Sequence, residues 1–67
     1  MTHKFTNSTN LDSMDYNLLS GNMIITFKNK KKYSYDNVRV SDMDTLKTQG
    51  GSFVKEISNK YGGKEIK

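Results

Sequence analysis

Met23-Ile24-Ile25-Thr26-Phe27-Lys28 followed by Asn29-Lys30 and then Lys31-Lys32-Tyr33-Ser34-Tyr35 reads as a strand, a tight basic turn and a returning strand. Ile24, Ile25, Thr26 and Phe27 are β-branched or aromatic, the types that suit a pleated surface. Successive side chains of a strand point to opposite faces. Met23, Ile25 and Phe27 therefore share one face, and Tyr33 and Tyr35 share one face of the returning strand, which runs to Asn37 or Val38. Ile24 on the second face predicts a central strand partly covered on both sides.

Working outward from this hairpin, residues 8–17 alternate loosely, with Met14, Tyr16 and Leu18 on one side, and predict a preceding strand. Ser20-Gly21-Asn22 is turn chemistry, because glycine accepts and asparagine tolerates a positive φ. Short connections of this kind give an antiparallel meander. On the C-terminal side, Ser41 is a candidate helix cap, and Asp42 and Asp44 suit the positive end of the helix dipole. Val40, Met43 and Leu46 recur at helical spacing, and Gln49-Gly50-Gly51 ends that helix. Ser52 is a second candidate cap before Phe53, Val54, Ile57 and Tyr61, an amphipathic stripe stopped by Gly62-Gly63. The predicted fold class is α+β: a three-stranded antiparallel meander followed by two short helices packed on one face. Residues 1–7 are expected as a flexible arm, 8–61 as the single domain, and 62–67 as a basic tail.

The chain has 67 residues, no cysteine and a single histidine, His3. It can form neither a disulfide nor a thiolate metal site, and so short a domain has a thin core and small stability. A homodimer burying one further face would relieve that shortage. Lysine and arginine number 11 against 7 acids, a net charge of +4. The sign favours anionic partners, at a magnitude ordinary for a small domain. No apolar run approaches membrane-spanning length, and Met1-Thr2-His3-Lys4 lacks the apolar region of a secretory signal. The expected location is cytoplasmic, with no membrane partner. The absence of proline and the frequent Asn, Lys and Ile fit an AT-rich genome, as in many phages.

The order of motifs resembles the KTSC domain, a family of about this length found alone and at the C-terminus of some lysyl-tRNA synthetases. Ser8-Thr9-Asn10-Leu11 stands where that family has a Ser-Ser-Asn-Ile-like opening. Tyr16 matches the tyrosine of its first strand, and Ile25-Thr26-Phe27 its aliphatic-x-Phe strand. Tyr33-Ser34-Tyr35 matches its central Tyr-x-Tyr, with Val38 as the following valine. Residues 48–61 follow its C-terminal Ser-x-Gly-x-x-Phe-Asn-x-x-Ile-x-x-x-Tyr pattern, with Thr48 for the serine and Val54 for the asparagine. Arg39 stands where a proline often follows the valine. The resemblance implies the fold above, and RNA binding as its expected activity.

Lys28, Lys30, Lys31 and Lys32 crowd the hairpin tip, and each can contact a phosphate. Their ordinary role is to keep a sheet edge from pairing with neighbours, which weighs slightly more. Tyr33 and Tyr35 offer a stacking platform if they face solvent, and core volume if they face the helices. In a chain this short of apolar volume, the core is expected to claim at least one of them. Arg39 and Lys60 extend the basic patch if they fall on its side. Gly50-Gly51-Ser52 has the free N–H groups of an anion-binding turn, but no lysine follows at Walker spacing, so turn-and-cap chemistry is the expectation. Asp12 with Asp15, Asp42 with Asp44, and the isolated His3 assemble no nucleophile–base–orienter set and no metal site.

The leading expectation is a non-enzymatic module without cofactor or metal. It would bind RNA or single-stranded nucleic acid through Lys28, Lys30, Lys31, Lys32, Tyr33 and Tyr35, with Arg39 and Lys60 as extensions. The alternative is a protein–protein interaction module, for instance a phage-encoded modulator of a host protein acting through a sheet edge or an aromatic patch.

Overall fold

The computed structural model describes residues 1–6 and 8–66. Asn7, the last residue of the expected arm, and Lys67, the last of the expected tail, lie outside them. The class is α+β. Among the described residues the sheet has five antiparallel strands rather than three: β1 (Thr2–Lys4), β2 (Leu11–Tyr16), β3 (Met23–Phe27), β4 (Lys32–Tyr35) and β5 (Lys64–Ile66). Their spatial order is their chain order. The expected meander is the β2–β3–β4 centre, and the two segments read as arm and tail supply its outer strands. Thr2 pairs with Asp15 and Lys4 with Ser13 at one edge, and Lys64 with Ser34 and Ile66 with Lys32 at the other. Segments this short and polar carry too few apolar side chains to announce a strand. They are held by the ladder bonds of a neighbour that is already in place.

Between β4 and β5 the chain is helical throughout residues 40–61. Helix α1 (Val40–Gln49) is followed by a 3-10 turn (Gly50–Phe53) and helix α2 (Val54–Tyr61). Gly50 ends α1 with φ +62°. Neither predicted serine cap forms. Arg39 is the residue before α1 and Phe53 the one before α2, and neither makes a side-chain cap bond. Ser41 lies within the first turn of α1, and Ser52 donates its hydroxyl to the Gln49 carbonyl. No helix of the described residues is long and apolar enough to cross a membrane.

The buried side chains are Leu11, Met14 and Tyr16 from β2, Met23 and Ile25 from β3, and Tyr35 from β4, with Val38, Met43, Leu46 and Ile57 from the covering segment. The helices therefore lie over the face that carries Met23, Ile25 and Tyr35. Strict alternation would put Leu11 on the opposite side from Met14 and Tyr16. An extra residue in β2, where the pairing shifts between Leu11 and Ser13, reverses the parity and returns Leu11 to the core. Leu18, read on the same face as Met14 and Tyr16, lies beyond the end of β2 in the turn and is 65% exposed. Val40, read as part of the apolar side of α1, is half exposed.

Candidate nucleic-acid interface

Phe27 ends β3 and the chain turns through residues 28–31. The Lys30 N–H donates to the Phe27 carbonyl at 2.9 Å, and the Phe27 N–H to the Lys31 carbonyl at 2.9 Å. The Asn29 carboxamide accepts the Lys31 N–H at 3.0 Å. Lys30 takes the left-handed conformation, φ +72°, that the turn demands. Lys28, Lys30, Lys31 and Lys32 are all exposed, so four ammonium groups are displayed on a hydrogen-bonded turn.

The tyrosines are placed by register. Tyr33 lies opposite Ile25 and Tyr35 opposite Met23, so both rings face the helices. Tyr35 is 2% exposed, and its hydroxyl lies 3.3 Å from the Ser58 hydroxyl on α2. It is a core residue, too buried for the stacking role expected of it. Tyr33 is half-buried and meets Phe27 edge to face at 5.6 Å. These two rings, with Asn29, Lys31, Val54 and Ser58 and with Tyr35 at its floor, line a groove of about 380 Å³ between the hairpin and α2. Lys31 therefore belongs to the aromatic groove. Lys32 alternates with Tyr33 and stands on the opposite, helix-free face.

Arg39 and Lys60 do not join this cluster. β4 runs away from the hairpin tip, and Arg39 follows its far end. There the Arg39 N–H donates to the Tyr61 hydroxyl at 3.2 Å. Lys60 reaches both carboxylate oxygens of Asp42, at 3.1 and 3.2 Å, and Tyr61 donates its hydroxyl to the same carboxylate. Asp42, 7% exposed, thus pins the start of α1 to the end of α2. The Tyr61 hydrogen bond holds its carboxyl below the ordinary value, with Lys60 adding to the effect and burial opposing it. Only a dipole role for Asp42 is legible in the sequence, because its partners lie 18 and 19 residues away. Among the described residues, no group of three or more His, Asp or Glu side chains is placed to share a metal ion.

The recurrent motif positions turn out to be tied together. Tyr16 donates its hydroxyl to the Val38 carbonyl at 2.6 Å, and Tyr35 meets Ser58. Ser8 accepts the N–H groups of Asn10 and Leu11 at 3.2 and 2.9 Å and so opens β2. The family model of the KTSC domain matches residues 7–61. This chain belongs to the KTSC domain family. No curated protein matches it. In this KTSC domain the Tyr-x-Tyr motif is an element of the fold: one ring fills the core and the other walls a groove. The departure at Val54, where the family pattern has asparagine, places an apolar side chain in that groove wall.

Proposed function

We propose that this KTSC domain is a non-enzymatic module that binds RNA or another single strand at the hairpin end of its sheet. One observation carries the reading: four exposed lysines on a braced turn adjoin a groove walled by Phe27 and Tyr33. Lys28, Lys30, Lys31 and Lys32 would contact phosphates, and the accessible part of the Tyr33 ring would stack on a base. Tyr35 is buried and forms part of the groove floor. The lysines fan to both sides of the turn, which suits a flexible strand wrapping the tip better than a rigid duplex. A fluorescence-polarisation titration tests the reading. Weak binding that falls steeply with salt is expected, and no binding to RNA or single-stranded DNA at low salt would sink it.

A second reading has its own observation. Leu18 and Leu19 are 65% and 99% exposed on a turn whose N–H groups at Leu19 and Ser20 are held by the Asn17 side chain. Two adjacent leucines held out in water on an ordered turn are the kind of anchor a protein partner would bury. Such a partner, a host protein if the domain is phage-encoded, would survive nuclease and high salt in a pull-down. A nucleic-acid ligand would not.

A further inference from the structure

The start of β2 and the 3-10 turn after α1 lie against each other and enclose a polar cleft distinct from the hairpin groove. Two adjoining hollows of about 290 and 360 Å³ share Ser8 and Gly51 in their walls. Lys4 and Lys47 line the first, and Asn10 the second. We propose that this cleft binds the phosphate group of a phosphate ester.

Among the described residues, the side chains around the cleft still have donors to offer. The Ser8 oxygen already accepts two backbone N–H groups, from Asn10 and Leu11, which leaves its hydroxyl hydrogen to donate. The Asn10 side-chain oxygen accepts the Thr9 hydroxyl, which leaves its NH₂ as a double donor. Lys4 and Lys47 donate only. Lys47 meets Asp44 just at 4.0 Å, and both side chains are substantially exposed, so the pair constrains it little. Among the described residues this is a site of unspent donors beside the Lys47 charge, which suits a ligand that is anionic and accepts from several sides at once, as a phosphate does. A hollow of about 290 Å³ exceeds the need of a bare anion and sits near the lower bound of small-molecule pockets, which points to an ester.

Gly51 supplies an independent sign. It is not among the glycines with positive φ, so its backbone conformation is open to alanine. A Cβ there would meet Ser8 Oγ at 3.5 Å and Asn10 Nδ2 at 3.9 Å, ordinary contacts that the fold can accept. What the missing Cβ preserves is space at the mouth of the cleft, between its two remaining donors.

The test uses the full chain, labelled with nitrogen-15 and titrated with a nucleoside 5′-monophosphate, the parent nucleoside and a short single-stranded RNA. The amides of Ser8, Gly50 and Gly51 are expected to shift saturably with the monophosphate, with the RNA or with both, and not with the nucleoside. The responding probe identifies a free nucleotide or a strand as the source of the phosphate. Gly51→Ala fills the mouth, and Asn10→Asp exchanges a donor for a negative acceptor at an exposed position. Each is expected to weaken binding about tenfold or more while the spectrum stays folded. Shifts with the nucleoside alone, no shifts with either phosphate probe, or unchanged binding in both folded variants would overturn the proposal. A variant lacking the hairpin lysines tests the other interface separately, so the two readings can fail independently.

Discussion

Lys30 holds φ at +72°, a conformation that costs a residue with a Cβ on the order of 1 kcal/mol and costs glycine almost nothing. Lys30→Gly is therefore expected to raise stability by roughly 0.5–1 kcal/mol, read as a higher urea midpoint at unchanged slope, while removing one phosphate contact. A gain in stability with a loss of affinity would separate the turn's conformation from its charge. Asp42 is the opposite kind of residue, one whose charge the fold requires. Its carboxyl titrates below the ordinary 3.8 in the folded protein, chiefly through the Tyr61 hydrogen bond. The unfolded chain thus takes up this proton first as pH falls. The stabilisation is complete above the unfolded value and is lost as pH drops through the lower, folded one. Asp42→Asn is expected to cost about 2 kcal/mol at neutral pH and to flatten the acid limb of the stability profile below the ordinary aspartate range. An acid limb identical to that of the parent protein would remove Asp42 from this role.

At the scale of elements, the junction between α2 and β5 is the most constrained connection. Gly62 and Gly63 have φ +81° and +70°, and a Cβ on Gly63 would overlap the Tyr35 ring. The glycine pair that the sequence marks as a helix stop also lets the chain pass over a core tyrosine and return to pair with β4. Gly63→Ala is expected to cost about 2–3 kcal/mol through combined strain and overlap, measured by thermal or urea unfolding. In the same variant, hydrogen exchange should rise at the β4–β5 ladder before it rises at β2–β3. The hairpin is constrained differently. Its two strands are read easily because Ile24, Ile25 and Phe27 favour a pleated surface and the turn is short. The bulge in β2 has no such signal: Leu11 looks out of phase until its partner Phe27 is known.

Across the whole molecule, the two ends of the sheet differ. One end gathers the basic hairpin, the start of β2 and the 3-10 turn. The other gathers the exposed Leu18-Leu19 turn and the Asp42–Lys60–Tyr61 tie. Replacing Lys28, Lys30, Lys31 and Lys32 by serine should leave the fold intact, with each substitution changing stability by no more than about 0.5 kcal/mol, because none of the four is buried. The same variant should lower the salt slope of single-strand binding by up to about 3, four contacts at about 0.7 each. A slope that does not change would move the interface away from the hairpin.

The sequence by itself determined the α+β class, the central meander, the helical segment after it and membership in the KTSC domain family. Those follow from local properties: β-branched runs, turn residues, a helical stripe and an ordered series of motifs. Only the tertiary structure decided that Thr2–Lys4 and Lys64–Ile66 are strands, since a short polar segment becomes a strand through the hydrogen bonds of a neighbour. It also decided the fate of the opening motif of the hairpin. Register turned Tyr33 and Tyr35 toward the helices, burial closed Tyr35 off, and alternation sent Lys31 and Lys32 to opposite sides. Side-chain direction and burial are relations between distant segments, and the chain acquires them only when those segments meet.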